Sequence, residues 1–206
     1  MTVYACGETN FGDCIIFICG LLKQVKQSDI LISTTTSNRI ETLKEIASNM
    51  LYSNRFKFVD TTADVVLKGP DIDEYDRQYF PMKMMWEKKD TNMVSYQLTG
   101  GIYNGELKNT PDDDLQSFLT FMKQKDHFPI EVGKQYSVGE CIALMSDCDF
   151  HVTIDSGMMH LACCLGIPIK VIKNDFMYSP HVLSNVSNLT VYNNMKEFIE
   201  QHENTL

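Results

Sequence analysis

The sequence predicts an α/β protein of two small lobes, each built on its own parallel sheet, with the sheets facing a cleft. Three observations carry that expectation. Short apolar, β-branched runs alternate with helical periods, so crossovers must join the strands and neighbouring strands must run parallel. The alternation occurs twice, and the two series are separated at residues 72–90 by "IDEYDRQYFPMKMMWEKKD", a connector or covering element that follows neither period. The 206 residues, 44% hydrophobic and 22% charged, have the composition of a globular chain with a real core, in one ordinary domain or two very small ones.

The first series, residues 1–92 with the connector, opens with a strand at 3–6 and a loop through Gly12 and Asp13. A helix over 14–26, a strand at 30–34, a helix over 39–50 and strands at 56–60 and 65–67 follow. The second, residues 93–206, starts with a strand that ends in Thr99-Gly100-Gly101 and passes into a polar loop over 104–110. Pro111 and three aspartates suit the first turn of a helix reaching about residue 125. A weak strand near 128–132 precedes a helix over 137–148, where Ser137 and Glu140 have the spacing of a capping box. A strand at 150–154, a helix over 158–165, a strand at 169–172 and a helix over 195–202 complete the series. Two half-size Rossmann-like lobes fit this order, and a single mixed sheet is the rival.

The formal charge is -9, from 18 Lys+Arg against 27 Asp+Glu, which gives the molecule no overall footprint for a polyanion. Seven cysteines form no CxxC pair and no metal-ligand spacing with histidine, which fits buried thiols in a reducing cytoplasm. The longest apolar run, residues 14–22, is too short to span a bilayer, and the start lacks the basic region of a signal peptide. The expected location is therefore cytoplasmic. Sequons at Asn185 and Asn188 carry little weight, since such triplets arise often by chance.

The chemistry concentrates in "IDSGMMHLACCLGIP", residues 154–168, where a strand hands over to a helix. The first N–H groups of that helix, at Ser156, Gly157 and Met158, have no partner within it, and the glycine removes the Cβ that would obstruct an anion. Ser156 adds a hydroxyl, His160 an imidazole about one turn on, and Gly166 before Ile-Pro stops the helix. Asp155 suits a cap or a hydrogen bond from a sugar better than a phosphate. A hydrolase nucleophile would need G-x-S-x-G, and no glycine precedes Ser156 at that spacing.

The string resembles the D-[TS]-G-x-x-H-L-A-x-x-L-G-x-P signature of bacterial heptosyltransferases and their relatives, glycosyltransferases of family 9 and the GT-B type. Asp155, Ser156, Gly157, His160, Leu161, Ala162, Leu165, Gly166 and Pro168 match it. The resemblance implies that this helix start holds the diphosphate of a nucleotide sugar. The family's first loop has a pattern like GxxGDxxxxxPxLxxLK, and "CGETNFGDCIIFICGLLKQVK" supplies Asn10, Gly12, Asp13 and the trailing Leu21-Leu22-Lys23, without the proline. The resemblance makes Asp13 the general base toward the acceptor hydroxyl, with Asn10 and Gly12 as loop or acceptor-side residues. On position alone Asp13 equally suits a helix cap. In the second lobe the resemblance points to Thr99, Gly100 and Lys108 as further donor contacts.

The implied activity is transfer of a sugar from a nucleotide-diphosphate-sugar donor to an acceptor hydroxyl, inverting and metal-independent, on a compact GT-B-like fold. No cofactor is expected beyond the donor substrate. Asp71 and Asp73 have the spacing of a metal-binding pair but follow Gly-Pro and read as a solvated loop. The acceptor stays open between a glycan, a small molecule and, against the acidic charge, a modified nucleic acid. Two rivals remain: a nucleotide-sugar epimerase on the same architecture, and a non-catalytic nucleotide-sugar-binding module.

Overall fold

The structure, a computed structural model, describes residues 2–7, 10–26, 29–68, 78–103, 106–173 and 186–203, with the backbone alone for 101–103 and 106–108. Asp71 and Asp73, part of the connector and the sequon at Asn185 lie outside the described residues. The chain forms two compact units, Met1–Met84 and Met85–Leu206.

In the first unit, β1 (Val3–Cys6), β2 (Ile30–Ser33), β3 (Phe56–Val59) and β4 (Val65–Leu67) pair entirely in parallel, in the order β3-β2-β1-β4. Helices α1 (Phe11–Gln24) and α2 (Ile40–Asn49) supply the crossovers and pack on each other. The apolar run noted in the sequence forms the body of α1, buried without interruption from Cys14 to Cys19. α1 begins before the expected residue 14. Asn10 takes an extended backbone, φ -92 and ψ 147, and its carbonyl accepts the Cys14 N–H at 3.2 Å. Gly12 and Asp13 therefore lie in the first helical turn and not in a preceding loop.

The second unit holds β5 (Met93–Gln97), then β6 (Thr99–Tyr103) and β7 (Glu106–Asn109), then α3 (Asp112–Gln124) and β8 (Phe128–Glu131). α4 (Val138–Ser146), β9 (Phe150–Thr153), α5 (Gly157–Leu165), β10 (Ile169–Ile172), β11 (Leu189–Tyr192) and α6 (Met195–His202) follow. Five strands form a wholly parallel sheet in the order β11-β10-β9-β5-β8. Two separate parallel sheets replace the single mixed sheet that the sequence left open. Phe118, Phe121 and Met122 of α3 and Met195 and Phe198 of α6 join Val94, Phe150 and Val152 in one core. α4 and α5 pack on each other and on the strands β5, β9 and β10. All four residues of β9 are buried, as a central parallel strand requires.

Two elements differ from the sequence reading. Residues 106–109 of the expected polar loop form β7, which pairs antiparallel with β6, and Asn-Gly at 104–105 in the sequence is the hairpin signal that would have found the pair. β11 was also missed, although "LTVY" has the composition of a short strand. The unit boundary falls before residue 85, ahead of the 92/93 division drawn from sequence. Trp86 donates its backbone N–H to Leu165 O at 2.9 Å and its indole N–H to Cys148 O at 2.7 Å. Thr91 Oγ1 donates to Asp147 O at 2.9 Å, so these residues are bound into the second sheet.

Candidate functional site

The centre of the second sheet and the start of α5 carry the candidate donor residues. β9 ends at Thr153, and Ile154-Asp155 lead to Ser156, which is the N-cap of α5 with φ -147 and ψ 170. The turn lies beyond the carboxyl end of a parallel strand, where open α/β sheets bind ligands. Ser156 makes no side-chain capping bond. Its Oγ lies 3.1 Å from Thr153 Oγ1, whose own proton is directed at Ile154 O at 2.8 Å. The Ser156 hydroxyl is thus held to the strand and leaves the first-turn N–H groups uncapped by it. Met159 N–H already returns to Ser156 O at 3.1 Å, which leaves the N–H groups of Gly157 and Met158 as the candidates for an anion.

Asp155, Ser156 and Gly157 are half-buried, whereas Met158 and His160 are each 6% exposed. Met158 can offer its backbone N–H. His160 lies inside the unit. Gly166 closes α5 in the left-handed conformation, φ 77, with its N–H on Ala162 O at 3.0 Å, as the Gly-Ile-Pro stop predicts.

Of the other donor candidates, Thr99 is exposed at the first position of β6, and the Gly100 N–H is engaged by Asn109 Oδ1 at 3.3 Å. Lys108 lies on β7, and its side chain is outside the described residues. Sequence reasoning passed over Gln97 and Thr110. Gln97 ends β5 opposite Thr153, and its carbonyl accepts the Ile154 N–H at 3.3 Å. Thr110 donates its N–H to Leu98 O at 2.8 Å. Buried atoms Gln97 Oε1 and Thr110 Oγ1 have no hydrogen-bond partner among the described residues, and no sequence pattern marks either residue.

The remaining candidates lie in the first unit. Asn10 is the exposed N-cap of α1, Gly12 and Asp13 follow in its first turn, and all precede the buried stretch. Asp13 is therefore not the cap residue. An acidic side chain in the first turn also complements the helix dipole.

Among the described residues no group of three or more His, Cys, Asp or Glu stands close enough to hold a metal ion, and no helix is long and apolar enough to cross a membrane.

This two-sheet architecture is the fold of a known class. No protein-family profile and no curated protein matches the chain in sequence. Among solved structures it is similar to the iron-containing dodecameric glycosyltransferase TibC from enterotoxigenic E. coli, with a TM-score of 0.63 at 8% identity over 91% of this chain. TibC in complex with ADP-D-beta-D-heptose gives 0.61 at 8% identity. A family 9 glycosyltransferase from Veillonella parvula gives 0.55 at 12% identity, covering 97% of this chain and 90% of that one. The chain spans 61% of the length of each TibC chain. It has the GT-B-like fold of the heptosyltransferase and family 9 structures.

Proposed function

We propose that the protein is a glycosyltransferase that takes a sugar from a nucleoside-diphosphate-sugar donor and passes it to an acceptor hydroxyl. The observation that carries this reading is the start of α5. A partly exposed Asp-Ser-Gly turn stands at the carboxyl end of the central strand of a parallel sheet, and its hydroxyl is tied back, away from the helix N–H groups. The nucleotide-sugar complex of the structurally similar TibC supports a donor of the same chemical class.

In this mechanism the N–H groups of Gly157 and Met158 hold the diphosphate, the Ser156 hydroxyl stays on Thr153 Oγ1 and leaves them open, and Asp155 accepts from the sugar. Thr99, Gly100 and Lys108 complete the donor side, and Lys108 offsets charge on the leaving group. His160 supports the helix start from within. Asp13 removes the proton of the acceptor hydroxyl as its oxygen forms a bond to the anomeric carbon. The bond from that carbon to the diphosphate oxygen breaks, and the nucleoside diphosphate leaves with the electron pair. Attack from the face opposite the leaving group inverts the anomeric configuration. The developing charge is met by fixed N–H dipoles and a lysine, so the step is written without a metal.

Replacing Asp13 by Ala tests the assignment. Donor affinity is expected to stay within about twofold while transfer falls by roughly 100- to 10,000-fold, the usual worth of a positioned base. Nucleoside diphosphates and their sugars should raise the melting temperature by mass action, and Gly157→Val should abolish the shift. An unchanged transfer rate in Asp13→Ala removes the base. Failure of every nucleotide to shift the melting temperature removes the transferase reading and leaves the fold.

A further inference from the structure

The order of the second sheet reverses between β5 and β9. The chain leaves β5 toward β8 on one side and leaves β9 toward β10 on the other, so a crevice opens beyond the carboxyl ends of these two strands, where open parallel sheets take ligands. Gln97 is the last residue of β5 and Thr153 the last of β9, and the two are register partners. The Gln97 carbonyl accepts the Ile154 N–H at 3.3 Å, which sets the residue beside the turn that runs through Asp155 and Ser156 to α5.

The Gln97 side-chain carbonyl is not spent on the fold. Its Oε1 is buried and has no hydrogen-bond partner among the described residues. Leaving such an oxygen unsatisfied costs free energy, so it calls for a partner from outside the chain. Gly133 keeps the space around the amide. It follows Val132, whose N–H is held by Tyr96 O at 2.9 Å, and a Cβ on it would stand 3.1 Å from Gln97 Nε2 and 3.5 Å from Gln135 Oε1. Gln97 as a whole is only partly buried, and a half-turn of the amide about its last bond exchanges Oε1 with Nε2.

Chemistry narrows the partner. Diphosphate oxygens carry no proton to give at neutral pH and cannot satisfy an orphaned carbonyl oxygen. A sugar hydroxyl both donates and accepts, so it meets the amide in either orientation. Asp155, on the adjoining turn, is the acceptor assigned above to the same sugar. We infer that Gln97 is a donor-specificity residue whose amide holds a hydroxyl of the sugar to be transferred. This role rests on the transferase reading above, to which it adds a sugar subsite.

Gln97→Leu, which keeps the bulk and removes the amide, and Gln97→Ala are compared with wild type by isothermal titration against three matched pairs: ADP and ADP-glucose, UDP and UDP-glucose, GDP and GDP-mannose. In a pair that wild type binds, both variants should lose at least about fivefold in affinity for the nucleotide sugar and stay within about twofold for the diphosphate alone, in the range expected for one hydrogen bond. Retained diphosphate affinity also shows that the variants are folded. Unchanged affinity for the nucleotide sugar overturns the role. So does an equal loss for the diphosphate alone, which would place the amide on the nucleotide, and so does a wild type that binds diphosphates but none of the three sugars. Each of these outcomes leaves nucleotide binding at α5 standing. A wild type that binds no member of any pair sinks the transferase reading, and the sugar role with it.

Discussion

His151, in the middle of β9, is wholly buried, with Nδ1 3.0 Å from Ser95 Oγ and Nε2 without a partner among the described residues. Burial pushes its pKa down to about 3, against a smaller opposing effect of its hydrogen bond with Ser95. An imidazole whose folded pKa lies below its unfolded value near 6.5 binds fewer protons when folded, so stability falls as pH falls. The contribution is complete above pH 6.5 and is lost progressively from there toward pH 3. Between pH 7 and pH 5 the loss from this group is about 2 kcal/mol. His202, buried and 3.3 Å from Tyr192 Oη, is also shifted down by burial, so the comparison must isolate one ring. Urea unfolding of wild type and His151→Asn at the two pH values does so; equal pH dependence in both proteins would place the proton elsewhere. The same contrast shows what a sequence reveals about single residues. Ser156 and Asp13 stand out in the sequence because a glycine and a helix start flank each, whereas His160 and His151 look alike on paper and their burial is a property of the packed sheet.

At the scale of elements, strongly periodic helices and their ends were legible. The capping box of α4 forms as its spacing requires: Ser137 Oγ accepts the Glu140 N–H at 3.2 Å, and Glu140 Oε2 accepts the Ser137 N–H at 2.8 Å. The start of α1 was not, because Phe11 and Gly12 have no pattern of their own and the helix begins where Asn10 turns extended. The hairpin β6-β7 was hidden by its glycines, which break the strand alternation, and β11 by the absence of neighbouring periodic sequence. The end of α5 yields a prediction. Gly166 has φ 77, and a Cβ there would come 3.4 Å from Met85 Cε, an ordinary contact, so the cost of Gly166→Ala is conformational. A non-glycine residue in the left-handed region loses about 1–2 kcal/mol. Denaturant titration should show that loss with an unchanged slope, while Gly166→Asn, which tolerates the conformation, should lose less. Equal losses in both variants would mean that crowding, and not backbone preference, sets the requirement.

At the scale of the whole molecule, the alternation of strands and helices was enough to predict two parallel sheets, but not where one unit stops and the next begins. That boundary depends on long-range bonds that leave no local pattern. Residues 86–91 lie outside every helix and strand, yet Trp86 is fastened to the ends of α5 and α4 through Leu165 O and Cys148 O, and Thr91 to Asp147 O. Lys89 pairs with Asp147 as well, an exposed ion pair that adds little. If these contacts belong to the second unit, a fragment of residues 85–206 should fold cooperatively and bind nucleoside diphosphates. A fragment of residues 93–206 gives up the half-buried indole and the bonds of Trp86 to Leu165 O and Cys148 O, of Thr91 to Asp147 O and Asp149 Oδ1, and of Asn92 O with the Phe128 N–H. At about 0.5–1.5 kcal/mol each, these bonds alone amount to roughly 3–7 kcal/mol, a large share of the stability of a small domain. Urea unfolding of the two fragments, monitored by far-UV circular dichroism, measures the difference. Trp86→Phe in the longer fragment should recover part of it, because the ring stays and the indole donor is lost. Equal midpoints for the two fragments would show that the strap is held passively, and the division at 92/93 would then serve as well as the one at 84/85.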